Sequence, residues 1–438
     1  MLQIASVNHS AVTTPIKYDA DLKPLVDRPP LISCEICIII PVRDEAENIE
    51  ATLLALTNQV DLHGQPLDKN RYEIIVLANN CTDNSAQIAR NWAKKQPDLM
   101  LHVVEMTIES DRAHIGWVRK LLMDEAYRRL KAIGHNRGII ASTDGDTIVS
   151  PTWIAAMLHE INSGVDAVGG RIVTDCQDKW ALDKSTRLYF LRYVGYEYLV
   201  ARLETSIDPD PFECFPRHHQ HYGASLAVTA QIYAKIGGLP PLRSSEDVAL
   251  YQALKRVDAR FRHSPMVKVT TSARAIGRAK AGLSDRLSQL KMMAQENQPM
   301  LVESASLVAA RFYLRRRLRY LWQRMQRGQA FPSLKRRGLR LTAFRGQQYP
   351  TELAIIAQKL DILEDSLEET ILRSPTFGLV VERIGCDLQD KDKLVDYWQK
   401  VPIQNAIADL RRLTAPKHNI SLDALEKIEP ILLLPQSL

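Results

Sequence analysis

The chain has 438 residues, of which 45% are hydrophobic and 25% charged, and its formal net charge is +6. This length predicts more than one domain, and the ordinary globular composition excludes a mainly disordered or fibrous protein. Twelve Arg and Lys residues and no Asp or Glu lie from Ser304 to Thr351. The cationic excess therefore belongs to one segment, and it does not by itself indicate nucleic-acid binding.

Strand and helix patterns alternate over the first two thirds of the chain. After an N-terminal arm at 1–30, a short β-branched run predicts a buried strand at 34–42, followed by a helix. Comparable strands are predicted at 72–78, 99–106, 137–146, 166–174 and 261–273. This alternation predicts an α/β domain at 31–285, with a mostly parallel, Rossmann-like sheet and helices on both faces.

Helical patterns fill most of the chain after about residue 285, where the strand-like runs stop. They predict a helical C-terminal region at 286–438. The helical patterns lie at 303–326, 352–373, 391–413 and 422–433.

Six cysteines in a chain of this length do not indicate a disulfide framework. Cys34 and Cys37 have CxxC spacing, but they lie in an apolar run without a second pair, which favours buried thiols over a metal or redox site. No secretory signal is visible at the N-terminus, and no run approaches the ~18–20 apolar residues of a membrane helix. We therefore expect a cytoplasmic protein.

Polar residues follow three of the predicted strands, at Pro41–Asn48, Asn79–Asp83 and Thr143–Asp146. In open α/β sheets, ligands bind beyond the carboxyl ends of the strands. Asp144 and Asp146 flank a glycine and can face one ion, and their hard oxygen ligands suit Mg²⁺ or Mn²⁺ with phosphate. An ordinary Asp-Gly turn is the alternative, but the position directly after a buried strand favours metal and phosphate binding.

A second acidic pair, Glu246 and Asp247, follows Ser244-Ser245 at the start of a predicted helix. Acids in the first helical turn are favoured by the helix dipole, which is sufficient reason for their presence. A carboxylate at this edge could also act as a general base toward a hydroxyl. The residues alone leave these two interpretations open.

The ordered motifs PVRDEAENI, NNCTD, TDGD and SSEDVAL resemble those of the family 2 glycosyltransferases with the GT-A fold. The stretch HYGASLAVTAQIYAKIGGLPPLRSSED is similar to the acceptor side of that family. The resemblance covers roughly 34–285. It implies transfer of a sugar from a nucleotide-diphosphate donor, linked to UDP or GDP, with inversion at the anomeric carbon and with Mn²⁺ or Mg²⁺ as cofactor.

The resemblance also implies roles for individual residues. Asp247 would be the catalytic base, supported by Glu246. Asp144 and Asp146 would hold the metal and the diphosphate, with His263 as a late metal ligand or else an ordinary packed histidine. The implied nucleotide-sugar-binding residues are Pro41, Arg43, Glu45, Asn79, Asp83, Arg119, Asp144, Gly145 and Asp146. The implied acceptor region comprises His221, Tyr222 and Gly223.

The chain departs from the family pattern at Ala78 and Asn79, where two acids are usual, which leaves the donor base open. A QxxRW motif is absent, so we expect addition of a single sugar to an acceptor that the sequence does not specify. The departures also motivate an alternative, a catalytically idle module that binds a nucleotide sugar or scaffolds other enzymes. Nucleotidyl transfer is disfavoured, because no glycine-rich loop follows the first strand.

Each of three basic or histidine-rich segments can be interpreted in more than one way. His218, His219 and His221 could contact the acceptor, bind zinc or lie in a solvated loop. Arg274, Arg278 and Lys280 could close over a diphosphate or remain solvated. The basic amphipathic segment 311–325 could pack internally, bind a partner protein or contact an anionic membrane surface. No other feature supports nucleic acid as a partner.

Overall fold

The computed structural model describes residues 23–175, 182–272, 283–328, 351–389 and 400–415. The chain divides into two compact units. The first comprises Met1–Leu191, Phe212–Lys255 and Ala259–Gln298, and the second comprises Arg192–Pro211, Arg256–Asp258 and Pro299–Leu438. The predicted boundaries at residues 30 and 285 stay a prediction.

Strands and helices alternate through the first unit, as the sequence predicts. In chain order the elements are β1 Ile36–Val42, α1 Ile49–Thr57, β2 Tyr72–Asn79, α2 Ser85–Lys95, β3 Met100–Met106, α3 Ile115–Ala132, β4 Ile139–Ser142, β5 Thr147–Val149, α4 Trp153–Asn162, β6 Ala167–Thr174, α5 Lys184–Ile207, β7 Leu226–Thr229, α6 Ala230–Lys235, α7 Glu246–Arg256, β8 Phe261–Thr271 and α8 Leu283–Gln295. Helix α5 begins in the first unit and ends in the second.

The eight strands form one sheet in the order β3-β2-β1-β4-β7-β6-β8-β5. Strands β3, β2, β1 and β4 are mutually parallel, and β6 is parallel to β8. Strand β7 runs antiparallel to both of its neighbours, and β5 runs antiparallel to β8. The mostly parallel α/β class predicted from the sequence is confirmed.

The sheet is buried because its strands are apolar on both faces. All seven residues of β1 are buried. Alternate residues of β1, from Ile36 to Val42, join a core cluster with Leu53 of α1 and Trp153 of α4, while α3 also packs against β1. Cys34 and Cys37 are fully buried free thiols, as predicted. Burial raises the pKa of Cys34 to about 12, which suppresses formation of the reactive thiolate.

The antiparallel direction of β7 sets the geometry at the carboxyl end of β4. Ser142, the last residue of β4, pairs with Leu226, the first residue of β7. A 3₁₀ turn at Gly223–Ser225 directly precedes β7. Residues that enter the sheet at β7 therefore lie beside residues that leave it at β4.

The second unit is mainly helical. Beyond the C-terminal part of α5 it contains β9 Leu301–Glu303, α9 Ala305–Gln326, α10 Glu352–Lys359, α11 Glu364–Leu372, α12 Phe377–Gln389, β10 Lys400–Pro402 and α13 Ile403–Leu413. The helical C-terminal region is confirmed, with one addition: β9 and β10 pair antiparallel. Each has only three residues, too few to show a strand period. The helical pattern predicted at 422–433 lies outside the described residues.

The basic helix α9 pairs with acidic side chains inside the second unit. Arg315 binds Glu204 at 2.5 Å and Asp208 at 2.6 Å, and Arg317 binds Glu352 at 2.7 Å. Arg319 also binds Asp208, at 3.0 Å. These contacts support the interpretation of internal packing, and membrane contact through 311–325 stays a prediction. The basic residues from Lys335 to Arg345 lie outside the described residues.

Within the described ranges, no helix combines the length and the apolar character that crossing a bilayer requires.

Candidate active site

The loop after β1 and the loop after β2 are joined by hydrogen bonds at the carboxyl edge of the sheet. Asp83 accepts from the backbone N–H of Ala46 at 2.9 Å and from that of Ser85 at 3.0 Å. Asp44 accepts from the Thr82 N–H at 2.7 Å. Both carboxylates therefore shape the loops through backbone donors.

Three further residues predicted to frame a nucleotide lie in the same region. Pro41 is buried within β1. Glu45 is 8% exposed, and its carboxylate accepts from the side-chain amide of Asn48 at 2.9 Å. Arg43 is exposed and donates to the carbonyl of Ala113 at 3.4 Å, in the loop after β3. The two strand ends and the β3 loop thus meet at one edge.

Asn79 is the last residue of β2, and Asn80 follows it directly. Asn79, where the family pattern has an acid, is 5% exposed. Asn80 has a left-handed backbone with φ 49°, which asparagine tolerates better than most residues. Its side chain exchanges two hydrogen bonds with the backbone of Ile108, at 2.9 and 3.0 Å. Asn80 therefore ties the ends of β2 and β3 together.

Asp144 and Asp146 follow β4 and are both half-buried. Between them, Gly145 packs so closely that an added Cβ would lie 3.1 Å from Val42 and 3.2 Å from Glu45. The Gly145 carbonyl accepts from Thr52 of α1 at 3.0 Å. The two aspartates are thus fixed on a tightly packed turn at the end of β4, where the sequence predicts them.

Arg119 of α3 connects this turn to the second acidic pair. Its Nη2 donates to Asp144 Oδ1 at 3.0 Å, and its Nε donates to Glu246 Oε1 at 3.1 Å. Its Nη1 donates to the Gly223 carbonyl at 3.1 Å and to the Ser142 hydroxyl. Arg119 is only 3% exposed. The carboxylates outweigh the opposing effect of burial and raise its pKa above the ordinary value.

Gly223 lies against the Arg119 guanidinium without room for a side chain. A Cβ at this position would lie 2.5 Å from Arg119 Cζ. The Ser142 hydroxyl also donates to the Gly223 carbonyl, at 2.9 Å. Ser142 carries no sequence signal of its own, because its partners are 23 and 81 residues away along the chain.

Asp247 lies in the first turn of α7 and is half-buried. Its Oδ2 accepts from the Gly223 N–H at 2.8 Å, and its Oδ1 accepts from the Val248 N–H at 2.8 Å. Each oxygen keeps a second lone pair, because a carboxylate oxygen can accept two hydrogen bonds. The carboxylate is therefore oriented by two backbone donors and retains the capacity to accept a proton.

Glu246 is 4% exposed. Burial raises the pKa of its carboxyl group, with the negative charge of Asp247 acting in the same direction and Arg119 opposing both. The preceding residue, Ser245, has a left-handed backbone with φ 59°. This conformation costs a non-glycine residue of order 1 kcal/mol, and such strain concentrates at functional sites.

His218 and His221 lie in an aromatic cluster with His263 of β8. His218 donates from Nε2 to the Ser264 carbonyl at 3.1 Å, and its Nδ1 accepts from the Gln220 N–H at 3.0 Å. His221 stacks on Tyr251 with ring centroids 3.9 Å apart. Burial is the main cause that lowers the pKa of His218 and of His221 to about 3 and that of His219 to about 4. The three rings are therefore neutral near pH 7.

His263 of β8 joins this cluster. It is 3% exposed, its Nδ1 contacts Glu213 Oε2 at 2.7 Å, and its Nε2 lies 3.4 Å from His221 Nδ1. The Glu213 carboxylate also pairs with Arg217 at 2.7 Å. These contacts make His263 a packed, hydrogen-bonded histidine in this structure. Its role as a metal ligand stays a prediction.

One group of three potential metal ligands occurs among the residues that the structure describes, and it comprises Asp44, Cys81 and Asp83. The two carboxylates of this group already accept backbone hydrogen bonds, and exposed acids gather in this way without an ion. The predicted set of Asp144, Asp146 and His263 is not such a group. The segment with Arg274, Arg278 and Lys280 lies outside the described residues.

The chain resembles known glycosyltransferases in part of its length. One curated relative is Glycosyltransferase AglE of Haloferax volcanii, 29% identical over 138 residues, which cover 31% of this chain and 39% of AglE. The chain thus spans about two fifths of the length of that relative.

Two solved structures illustrate the structural comparisons. A mannosyltransferase from Pyrobaculum calidifontis, in complex with GDP-Man and Mn²⁺, is 17% identical with a TM-score of 0.37, and the match covers 85% of this chain and 79% of that one. S. aureus TarS 1-349, in complex with UDP-GlcNAc, is 14% identical with a TM-score of 0.40, and the match covers 91% and 99%. TM-scores this low support no conclusion about function.

The family model described as Glycosyl transferase family 2 matches residues 37–217. This segment contains β1 to β6, both loops of the carboxyl edge and the turn with Asp144 and Asp146. The family resemblance predicted from the sequence is confirmed over residues 37–217.

Proposed function

We propose that the protein transfers a single sugar from a nucleotide-diphosphate sugar to an acceptor hydroxyl, with inversion at the anomeric carbon. The observation that supports this most is the convergence of the two acidic motifs. Asp144 and Glu246 contact the same guanidinium, and the backbone of Gly223 connects that guanidinium, through its carbonyl, to Asp247, through its N–H. A donor-binding carboxylate and a base are thereby held within one hydrogen-bonded network.

Asp247 would be the general base. Two backbone N–H groups orient its carboxylate, and a carboxylate held in this way can take the proton of the attacking hydroxyl. The buried Glu246 would support it by keeping Arg119 in place. The acceptor would approach past His221, Tyr222 and Gly223, of which Tyr222 is exposed.

Asp144 and Asp146 would hold Mn²⁺ or Mg²⁺ together with the donor diphosphate. The metal-ligand atoms suit these ions, because both side chains offer hard carboxylate oxygens on a packed turn. Asp144 Oδ1 is occupied by Arg119, whereas its Oδ2 has no partner among the described residues. The metal would neutralise charge on the departing diphosphate. Arg43, Glu45, Asn79 and Asp83 would frame the nucleotide at the edge of β1 and β2.

A donor screen tests this proposal. UDP, GDP, UDP-GlcNAc and GDP-Man are titrated into the protein by calorimetry with MnCl₂, and turnover is followed as release of nucleoside diphosphate. We expect one nucleotide series to bind, and excess EDTA to abolish binding of the diphosphate and turnover. Binding without turnover on any acceptor would instead support an idle nucleotide-sugar-binding module. Absence of binding by both series would contradict the proposal.

A further inference from the structure

The Arg119 guanidinium has little capacity left for a ligand. Four of its five N–H groups donate to Asp144, Glu246, Ser142 and Gly223, and the side chain is 4% exposed. A guanidinium that neutralises donor phosphates presents a pair of N–H groups to them. Arg119 has a single N–H left, on Nη2. Its N–H groups therefore bind the protein and not the sugar donor.

The partners of Arg119 belong to different parts of the site. Asp144 lies on the turn after β4, and Glu246 opens α7, 127 residues from Arg119 along the chain. The third partner, Gly223, donates its own N–H to Asp247. Movement of the guanidinium would therefore displace the Asp144 carboxylate and, through the Gly223 backbone, the N–H group that orients Asp247.

We propose that Arg119 is a positioning residue that couples Asp144 to the Glu246–Asp247 pair and does not itself bind the phosphates of the donor. The roles of Asp144 and Asp247 in this coupling rest on the proposed function. The coupling itself is a property of the folded chain and can be measured without any ligand. For turnover, a change in the position of Arg119 should therefore move the Asp144 and Asp247 carboxylates together.

A double-mutant cycle in urea unfolding tests the coupling in the ligand-free protein. Arg119→Met leaves the buried Glu246 carboxylate without its partner, and such an orphaned charge is strongly destabilising. We expect the double variant Arg119→Met/Glu246→Gln to be destabilised clearly less than the sum of the two single variants. Additive effects would overturn the coupling. If Arg119→Met does not fold, Arg119→Lys replaces it in the same cycle, because lysine keeps the charge but cannot bridge both carboxylates.

A kinetic cycle separates positioning from phosphate binding. In the Asp144→Asn background, we expect Arg119→Met to leave the donor KM within about twofold but to lower kcat by about tenfold, because Gly223 and Asp247 lose their support. We expect Arg119→Lys to restore folding without restoring kcat. A KM about tenfold higher in that background, with kcat unchanged, would identify Arg119 as a phosphate ligand and overturn the proposal.

The control is Arg43→Met, which changes an exposed arginine predicted to frame the nucleotide. Its effect on donor KM should be nearly the same in the wild-type and Asp144→Asn backgrounds, as expected for independent contacts with one ligand. If no nucleotide binds to the wild-type protein, the proposed function fails. The unfolding cycle, repeated with Asp144→Asn in place of Glu246→Gln, then still decides whether Arg119 couples the two acidic motifs.

Discussion

Helix α3 carries two buried arginines. One forms a buried structural ion pair, and the other belongs to the candidate active site. Arg129, near the C-terminal end of α3, binds both oxygens of Glu73 on β2, at 2.9 and 2.6 Å, and donates to the Arg28 carbonyl at 2.7 Å. Neither side chain is exposed. Arg119, near the N-terminal end, holds one oxygen of Asp144 whose side chain is 35% exposed.

The difference shows that burial of a charge does not by itself mark function. The hydrogen-bonding groups of Glu73 and Arg129 find their partners within the buried interior, between α3 and β2. The Arg119 network instead leaves carboxylate oxygens of Asp144 and Asp247 able to accept a further partner. The changes below should therefore affect stability at one end of α3 and turnover at the other.

The largest effect is expected from Arg129→Met. It leaves the fully buried Glu73 without its main partner, and breaking such a pair typically costs about 3–5 kcal/mol of unfolding free energy. Urea unfolding measures the loss, and kcat per folded molecule should be unchanged. The matched control is Arg71→Met, whose partner Glu35 lies in a partly exposed pair, where about 1 kcal/mol or less is expected. Equal losses in the two variants would contradict the comparison.

Asp247→Asn should have the converse effect. Removing a general base lowers turnover by about 10²–10⁴-fold, while the amide oxygen can still accept the Gly223 N–H. Nucleotide binding should therefore change little, and the unfolding midpoint should fall slightly because the Val248 N–H loses its acceptor. Steady-state kinetics and calorimetry measure the two properties separately. Asp166→Asn, which removes a carboxylate paired with Arg260, is the control and should keep full turnover. Wild-type kcat in Asp247→Asn would remove Asp247 as the base.

The buried Glu73–Arg129 pair also predicts that the free energy of unfolding depends on pH. Burial alone would raise the pKa of Glu73, but the hydrogen-bonded Arg129 and the His102 imidazole 3.6 Å away outweigh it and hold that pKa at about 2, below the ordinary 4.5. The lowered folded-state pKa contributes stability above pH 4.5 that is lost as pH falls toward 2, by roughly 3 kcal/mol at most.

Urea unfolding from pH 6 to pH 2 measures this contribution. The Glu73→Gln variant should lack it and show a flatter profile over the same range. Identical profiles for the two proteins would show that Glu73 does not titrate in this way.

The smallest effect is expected from Gly223→Ala. The added Cβ would lie 2.5 Å from Arg119 Cζ, and overpacking of this kind costs about 1–3 kcal/mol. Since Gly223 also orients Asp247, kcat should fall as well. The control is Gly195→Ala in α5, where no atom of the described residues beyond the adjoining helix backbone lies within 4 Å of the new methyl group and alanine should stabilise by about 0.5–1 kcal/mol. A neutral Gly223→Ala would contradict the tight contact.

The sequence predicted the long buried strands well. The runs at 72–78 and 166–174 become β2 and β6, because β-branched residues covered on both faces give a strong local signal. It did not predict β5 or β7, which have three and four residues. Such strands exist because of their neighbours in the sheet, and a single sequence does not contain that information.

The acidic residues of the site were predicted, but their connection was not. Asp144 and Asp247 lie next to recognisable motifs, so local pattern was sufficient to propose them. The role of Ser142 and the contact between Arg119 and Glu246 depend on side chains that meet only in the folded sheet. The predicted place of His263 beside the metal stays a prediction, since its hydrogen-bonding neighbours in the structure are Glu213 and His221.

The reversed strand β7 has a consequence for how the candidate site is assembled from the chain. The loops with Asp44, Asp83 and Asp144 follow strands β1, β2 and β4, whereas Gly223 precedes the antiparallel strand β7. Segment 212–222 is anchored on the other half of the sheet, through Gln220 on Ile172 of β6 and Glu213 on His263 of β8. A change in this segment should therefore be felt first at β6 and β8, and not at the loops after β1 and β2.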